Sequence, residues 1–241
     1  MGKLSARVRE RSALAAPDVA AMYALFDRYY EGGSREVFKL DLAGKSHVIE
    51  LHDETGQLRG FSTVCVFAFD HDGEPARVIF SGDTIVHHEN WGEQALARCF
   101  CAFAGAIKAQ APDQPLYWLL ISKGYRTYRY LHLFAREYFP GHAAQTPHAA
   151  QALLDSLCAR RFGSGYDPAQ GVIRTSPASG SRLRPQWCDV RENLQHLPDV
   201  AFFLERNPRF AHGDELACIC ALEASNLRSF ALRAFRQRMP L

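Results

Sequence analysis

Around residues 77–139 the chain reads as a strand (ARVIFSGDTIV), a turn (HHENWG), a long apolar-periodic helix (EQALARCFCAFAGAIKA), a second strand (LYWLLIS) and a tyrosine-rich helix (YRTYRYLHLFAREYF). This stretch constrains the fold most. A helix that crosses over between two strands makes those strands parallel neighbours. Residues 78–86 and 116–122 are therefore predicted to pair in parallel and to diverge at their C-terminal ends, leaving a cleft. The first strand runs into a glycine-containing turn and then a helix. Its unpaired N–H groups and positive dipole end favour a phosphate or pyrophosphate, so the chemistry is expected there.

The other elements follow from periodicity. Residues 16–30 (APDVAAMYALFDRYY) place apolar side chains at helical spacing, with Pro17 and Asp18 at the start. Residues 36–42 are an ambiguous connector. Residues 46–51 and 58–69 form a hairpin around DETG, and DHDGEP turns the chain into the strand ARVIFSGDTIV. Beyond residue 140, helices are expected over 149–162, 197–206 and 227–238, and a strand over 214–222. A Gly-, Ser- and Pro-rich loop over 163–185 surrounds a short strand, GVIRTS. The predicted fold class is mixed α/β: a mostly antiparallel sheet flanked by helices, with a C-terminal extension. Residues 1–15 are expected to be a tail, 16–140 the core, and 141–241 an elaboration packed on it.

Composition narrows the function classes. Lys and Arg number 28 against 26 Asp and Glu, a net charge of +2, so no overall field points to nucleic acid or an anionic membrane. The N-terminal segment is basic but lacks a continuous apolar run. No stretch reaches the roughly 18 apolar residues of a membrane span, and a cytoplasmic location is expected. The seven cysteines (65, 99, 101, 158, 188, 218 and 220) are odd in number and include two C-x-C pairs rather than paired C-x-x-C knuckles. They are read as reduced core or strand residues, with no metal site.

Several side chains carry candidate chemistry. Asp83 sits mid-strand, where a carboxylate is unfavourable unless something binds it; the alternative is a structural hydrogen bond or a solvated face. Gly82 marks a bulge that would splay the strand and expose backbone N–H groups. Of His87 and His88, alternation should aim one toward the cleft as a proton acceptor; turn histidines in water are the alternative. Ser122 precedes Lys123 and Gly124, flanks that do not match a nucleophile elbow, so a helix cap or a substrate hydrogen bond is expected of it. Tyr125, Tyr128 and Tyr130 interleave with Arg126 and Arg129. That pattern fits a nucleic-acid surface or an aromatic core face with phosphate-binding arginines, and the nearly neutral composition favours the second.

The order helix, hairpin, long third strand, glycine-turn helix, strand, helix over residues 16–140 resembles the GNAT acyltransferase superfamily, as a divergent member. DETGQLRGFS is similar to that superfamily's second-to-third strand hairpin. VHHENWGEQAL stands where the superfamily has a pyrophosphate loop of the form R/Q-x-x-G-x-G/A: Gly92 matches one glycine, Gln94 takes the place of the second, and Trp91 or Asn90 that of the arginine. The superfamily's L-Y-x-x-x-G-F corresponds to residues 133–139, with Phe134 in place of the tyrosine that protonates the departing thiolate. The resemblance implies transfer of an acyl group from a thioester to a small-molecule amine. The thioester would be acyl-CoA or a phosphopantetheine arm on an acyl carrier protein.

In that frame Asp83, His87 or His88 is the base. Tyr130 or Tyr128 is the acid, unless the thiolate leaves without one. The backbone at Gly82 to Thr84 holds the donor carbonyl, and Trp91, Gly92 and Gln94 hold phosphate. Ser122 adds a hydrogen bond, while Lys123, Arg126 and Arg129 meet a carrier helix or nucleotide phosphates at the mouth. The alternative is a GNAT-shaped binding or scaffold protein without catalysis.

Overall fold

A computed structural model describes residues 4–175 and 180–239. The chain opens with β1 (Ser5–Glu10), α1 (Ala16–Tyr29), β2 (Tyr30–Glu31), α2 (Arg35–Ala43), β3 (His47–His52), β4 (Leu58–His71), β5 (Glu74–Val86), α3 (Ala95–Gln110), β6 (Leu116–Ser122) and α4 (Tyr125–Phe134). It continues through α5 (His148–Phe162), β7 (Tyr166–Asp167), β8 (Val172–Ile173), β9 (Arg182–Leu183), the short α6 (Pro185–Cys188) and α7 (Glu192–Gln195), α8 (Pro198–Arg206), β10 (Glu215–Ala221) and α9 (Ser229–Gln237). One sheet holds eight strands in the order β1-β3-β4-β5-β6-β10-β8-β7, and β2 pairs separately with β9. Every pairing in the large sheet is antiparallel except β5 with β6. This is the mixed, mostly antiparallel, helix-flanked arrangement expected.

Alternation along the strands sorts the core into layers. Ile49, Ile79, Trp118, Leu120, Cys218 and Cys220 face α3, α4 and α9. Phe80, Leu119 and Ile219 face α5, while Val48, Phe61 and Ile85 face α1 and α2. Two helical blocks therefore share one face of the sheet, and a single layer covers the other. α9 lies so close to α3 that a Cβ on Gly105 would overlap the Phe235 carbonyl. The ambiguous connector is α2: the Ser34 hydroxyl accepts from the Val37 N–H at 3.2 Å and caps it.

Three expectations change. Residues 1–15 do not form a tail, because Ser5–Glu10 is an edge strand paired with β3. Its Arg7 and Arg9 reach the buried Glu50 carboxylate at 2.7 and 3.3 Å. The boundary at residue 140 divides one sheet, since β10 lies between β6 and β8. The tyrosine-rich helix stops at Phe134, beyond which Ala135 and Phe139 form bridges to Leu227 and Ile219. Among the described residues no helix is long and apolar enough to cross a membrane.

The parallel pair diverges as the sequence predicts. β5 and β6 are in register from Arg77 opposite Leu116 to Ser81 opposite Leu120. Beyond that point Ser122 pairs with Leu216 of β10 and Thr84 with Ser62 of β4. At the parting, Ser62 faces Thr84 and Val64 faces Ser81, so Gly82 and Asp83 together oppose the single residue Thr63. This is a bulge in β5.

Candidate active site

Two large cavities lie at the divergence. The first, of about 400 Å³, opens at the N-terminus of α3 and is lined by Trp91, Gly92, Glu93 and Gln94, by Arg126, Arg129 and Tyr130 of α4, and by apolar side chains including Tyr29, Ile85, Leu183 and Trp187. The second, of about 780 Å³, lies between the α1–α2 block and α5 over a floor of Phe67, Phe69, Phe80, Gly82 and Asp83. Tyr30, Thr84 and Thr127 line both. Thr84, Thr127 and Tyr130 also line a narrow slot between the parted strands, walled by Ser81, Trp118, Phe100 and Phe134. The slot, of about 20 Å³, thus lies where the two cavities adjoin.

The α5-side cavity holds the charged groups. Asp83 is half-buried, and its carboxyl is pushed up to about 6, first by desolvation and then by Asp41, with Lys123 and Lys45 acting in the opposite sense. Lys123 meets Glu215 at 3.2 Å and donates to the Ser181 hydroxyl at 3.0 Å. Burial lowers its ammonium, but Glu215 and Asp83 outweigh that and leave it above its ordinary value. Lys45 is ion-paired to Asp41 and lies 5.6 Å from the Phe80 ring centroid. Burial, Asp83 and Glu215 push the Tyr30 phenol upward. A carboxyl titrating near 6 beside a cavity is suited to accept a proton at neutral pH. Sequence reasoning missed Lys45, Glu215 and Tyr30 because they come from distant segments; a buried lysine after a helix-ending glycine is a signal only in retrospect.

On the α3 side the loop is firmly built. Gly92 has φ +98 and nothing would meet a Cβ there, so its glycine serves the turn and not a close approach. The Trp91 indole donates to the Val86 carbonyl at 2.9 Å, and the Arg126 guanidinium stacks over it at 4.0 Å. The side chain of Gln94, at the helix start, makes no cap hydrogen bond. Tyr130 faces this cavity and the slot, with its hydroxyl pushed up to about 12 by desolvation. Tyr128 is fully buried and donates to the Pro140 carbonyl at 3.1 Å, which removes it as the alternative acid. Phe134 lies in the core, packed against both Phe100 and Trp118.

Other expected residues lie elsewhere. Neither His87 nor His88 lines a cavity. His87 is buried beside Arg59, 3.3 Å from its guanidinium, and desolvation holds its imidazole below its ordinary value. His88 meets the Tyr29 hydroxyl at 3.0 Å and packs on Trp187. Donor atoms of His87, His88 and Glu89 approach within 4.8 Å, but Arg59, ion-paired to Glu89, already supplies the cation there. Ser122 is fully buried, lines neither cavity and does not cap α4, whose N-cap is Gly124. Lys123 turns into the α5-side cavity, away from the outer mouth, because Glu215 draws it there. Arg129 is anchored to the buried Asp199 at 2.8 Å. Of the three cations expected at the mouth, Arg126 alone faces the α3-side cavity without an ion pair among the described residues.

No family model matches the chain, and neither does any curated protein. Among solved structures it is similar to a conserved protein of unknown function from Enterococcus faecalis V583 described as "Probable N-Acyltransferase" (TM-score 0.40, 16% identity, 56% of this chain and 33% of that one). It is also similar to a GNAT family N-acetyltransferase from Escherichia coli in complex with CoA (TM-score 0.36, 20% identity, 51% and 64%). A third is an acyl-CoA N-acyltransferase from Pseudomonas aeruginosa (TM-score 0.36, 18% identity, 48% and 79%). The match spans a third of the first of these proteins and less than two thirds of the second.

Proposed function

We propose that this protein is an N-acyltransferase that takes an acyl thioester from the α3 side of the sheet and an amine from the α5 side. The observation that carries the reading is the meeting of the two cavities at Thr84 and Thr127, where β5 and β6 part beside Asp83. The thioester carbonyl would reach the slot with its phosphate-bearing part at Trp91, Gly92 and Gln94, near the positive end of α3. The amine nitrogen attacks the carbonyl carbon, the C–S bond breaks, Asp83 takes the amine proton, and Tyr130 donates to the leaving sulfur. Gly82 to Thr84 would orient the carbonyl through backbone, and the main contribution would be positioning. No metal takes part in this scheme.

Free acyl-CoA is favoured over a carrier-protein thioester. An acidic carrier needs a basic outer rim, and Lys123 and Arg129 are committed to Glu215 and Asp199. The test is release of free thiol from acetyl-CoA, longer acyl-CoA and acyl carrier protein with a panel of amines, alongside thermal shift. A donor held well above its dissociation constant, at about a hundred times its value, should stabilise the fold by roughly 2.7 kcal/mol. Stabilisation by acyl-CoA with amine-dependent thiol release supports the reading. Stabilisation without release under any amine makes the protein a binding scaffold, and neither effect refutes both.

A further inference from the structure

Among the described residues, the charges around the α5-side cavity close among themselves with three exceptions. Asp41 pairs with Lys45, Glu215 with Lys123 at 3.2 Å, and Arg174 with both Asp167 and Asp214 at 2.8 Å. Asp83 has no ion pair among the described residues. Nor do Arg160 and Arg161 at the end of α5, which make no side-chain hydrogen bond among them either. Arg161 is half-buried, with its guanidinium carbon 3.8 Å from the Phe80 ring centroid and 5.8 Å from that of Phe67, while Arg160 lies over Phe69 at 5.7 Å. The aromatic faces hold the forks in place but satisfy none of their N–H donors. A guanidinium fixed by stacking with its donors open is pre-organised for a planar anion.

The two open sites lie apart. Phe80 pairs with Cys65, and Asp83 shares Thr63 with Gly82 across the bulge, so the two are two ladder steps apart; at about 3.3 Å per residue that is roughly 7 Å of strand. Lys45, ion-paired to Asp41, lies over Gly82 between them, and Phe162, Leu157 and Ile121 are among the surrounding walls.

We infer that the acceptor is a primary amine that also carries an anionic group, a carboxylate or a phosphate. The amine would lie at Asp83 and the anion on Arg161, with Arg160 at the rim. This rests on the acyl-transfer reading for the role of the amine, but the anion site stands on its own geometry.

The experiment compares aminohexanoate, aminohexyl phosphate and hexylamine as acceptors with acetyl-CoA, and measures binding of each amine by calorimetry without donor. Aminohexanoate or aminohexyl phosphate should exceed hexylamine in kcat/KM by about 10- to 100-fold, the worth of a hydrogen bond to a charged group. The better of the two anions identifies the head group. Arg161→Gln should cut the anionic amine several-fold more than hexylamine, and Arg161→Lys, which keeps charge but loses the fork, should fall between. Hexylamine turned over as well as aminohexanoate and aminohexyl phosphate, or equal losses for all amines in Arg161→Gln, overturns the inference while leaving acyl transfer intact. Arg161-dependent calorimetric binding of an anionic amine with no thiol release from any donor upholds the anion site and overturns acyl transfer. Absence of any preference in both binding and rate overturns the anion site.

Discussion

The Asp83 carboxyl ties function to stability. Its pKa is raised from the ordinary 3.8 to about 6, chiefly by desolvation. A carboxyl whose folded value lies above its unfolded one contributes stability that is fully present below about pH 3.8 and lost as the pH rises through about 6. The difference of about two units corresponds to roughly 3 kcal/mol of penalty on the folded state above pH 7, as an upper figure. Asp83→Asn keeps the shape and removes the charge. By chemical denaturation the variant should match the parent near pH 3.5 and exceed it by about 1–3 kcal/mol at pH 8, with the gap opening between those limits. Thiol release at pH 8 should fall by about a hundredfold or more, with acyl-CoA affinity nearly unchanged, because the base acts on the amine. The parent's kcat/KM should rise with pH through about 6. A variant less stable than the parent at pH 8 would refute the reasoning, since the carboxylate would then be held favourably by Lys45 and Lys123.

Gly105→Ala should lower Tm by several degrees at an overpacking cost of about 1–3 kcal/mol, because its Cβ overlaps the Phe235 carbonyl; an unchanged melting curve would contradict that contact. Tyr130→Phe should reduce kcat by roughly a hundredfold while donor binding holds, measured by single-turnover thiol release; no loss would mean that the thiolate leaves without an acid. Gly82→Ala places a Cβ 2.6 Å from the Thr63 hydroxyl and 2.7 Å from Lys45 Cε. Moving Lys45 away should raise the acidic limb of the pH–rate profile above about 6, since Lys45 is one of the cations that lower Asp83, and an unmoved limb would exclude that influence.

What could be read from the chain was what local pattern encodes. The parallel pair, its crossover helix and the bulge at Gly82 follow from hydrophobic period and from a glycine beside a mid-strand carboxylate. The sequence reading went astray where a partner far along the chain decides the outcome. His87 and His88 look like bases at a strand end, but Arg59 and Tyr29 claim both imidazoles. Arg129 looks free until Asp199 arrives 70 residues later. Ser5–Glu10 alternates too weakly to announce a strand, and β3 with the buried Glu50 makes it one. The second cavity was illegible for the same reason, since its walls come from α1, α2, α5 and β10.

The extra residue in β5 also explains why the proposed base faces the amine and not the donor. Before the bulge, even-numbered Val78 and Phe80 face α5, and Ile79 faces α3. After it the parity is reversed: Ile85 packs with α1 and α2, and Val86 with the α3 layer. In an unbroken strand residue 83 would share the face of Ile79 and Ser81, beneath α3. With Gly82 and Asp83 together opposite Thr63, both line the α5-side cavity. The shift ends pairing with β6 at the same point, so one inserted residue opens the slot and turns the carboxylate toward the acceptor side. Deleting either Gly82 or Asp83 would remove the bulge, leave one residue opposite Thr63, and keep every later side chain of β5 on its present face. A tight bulge with glycine at its first position gains both features without disturbing β4.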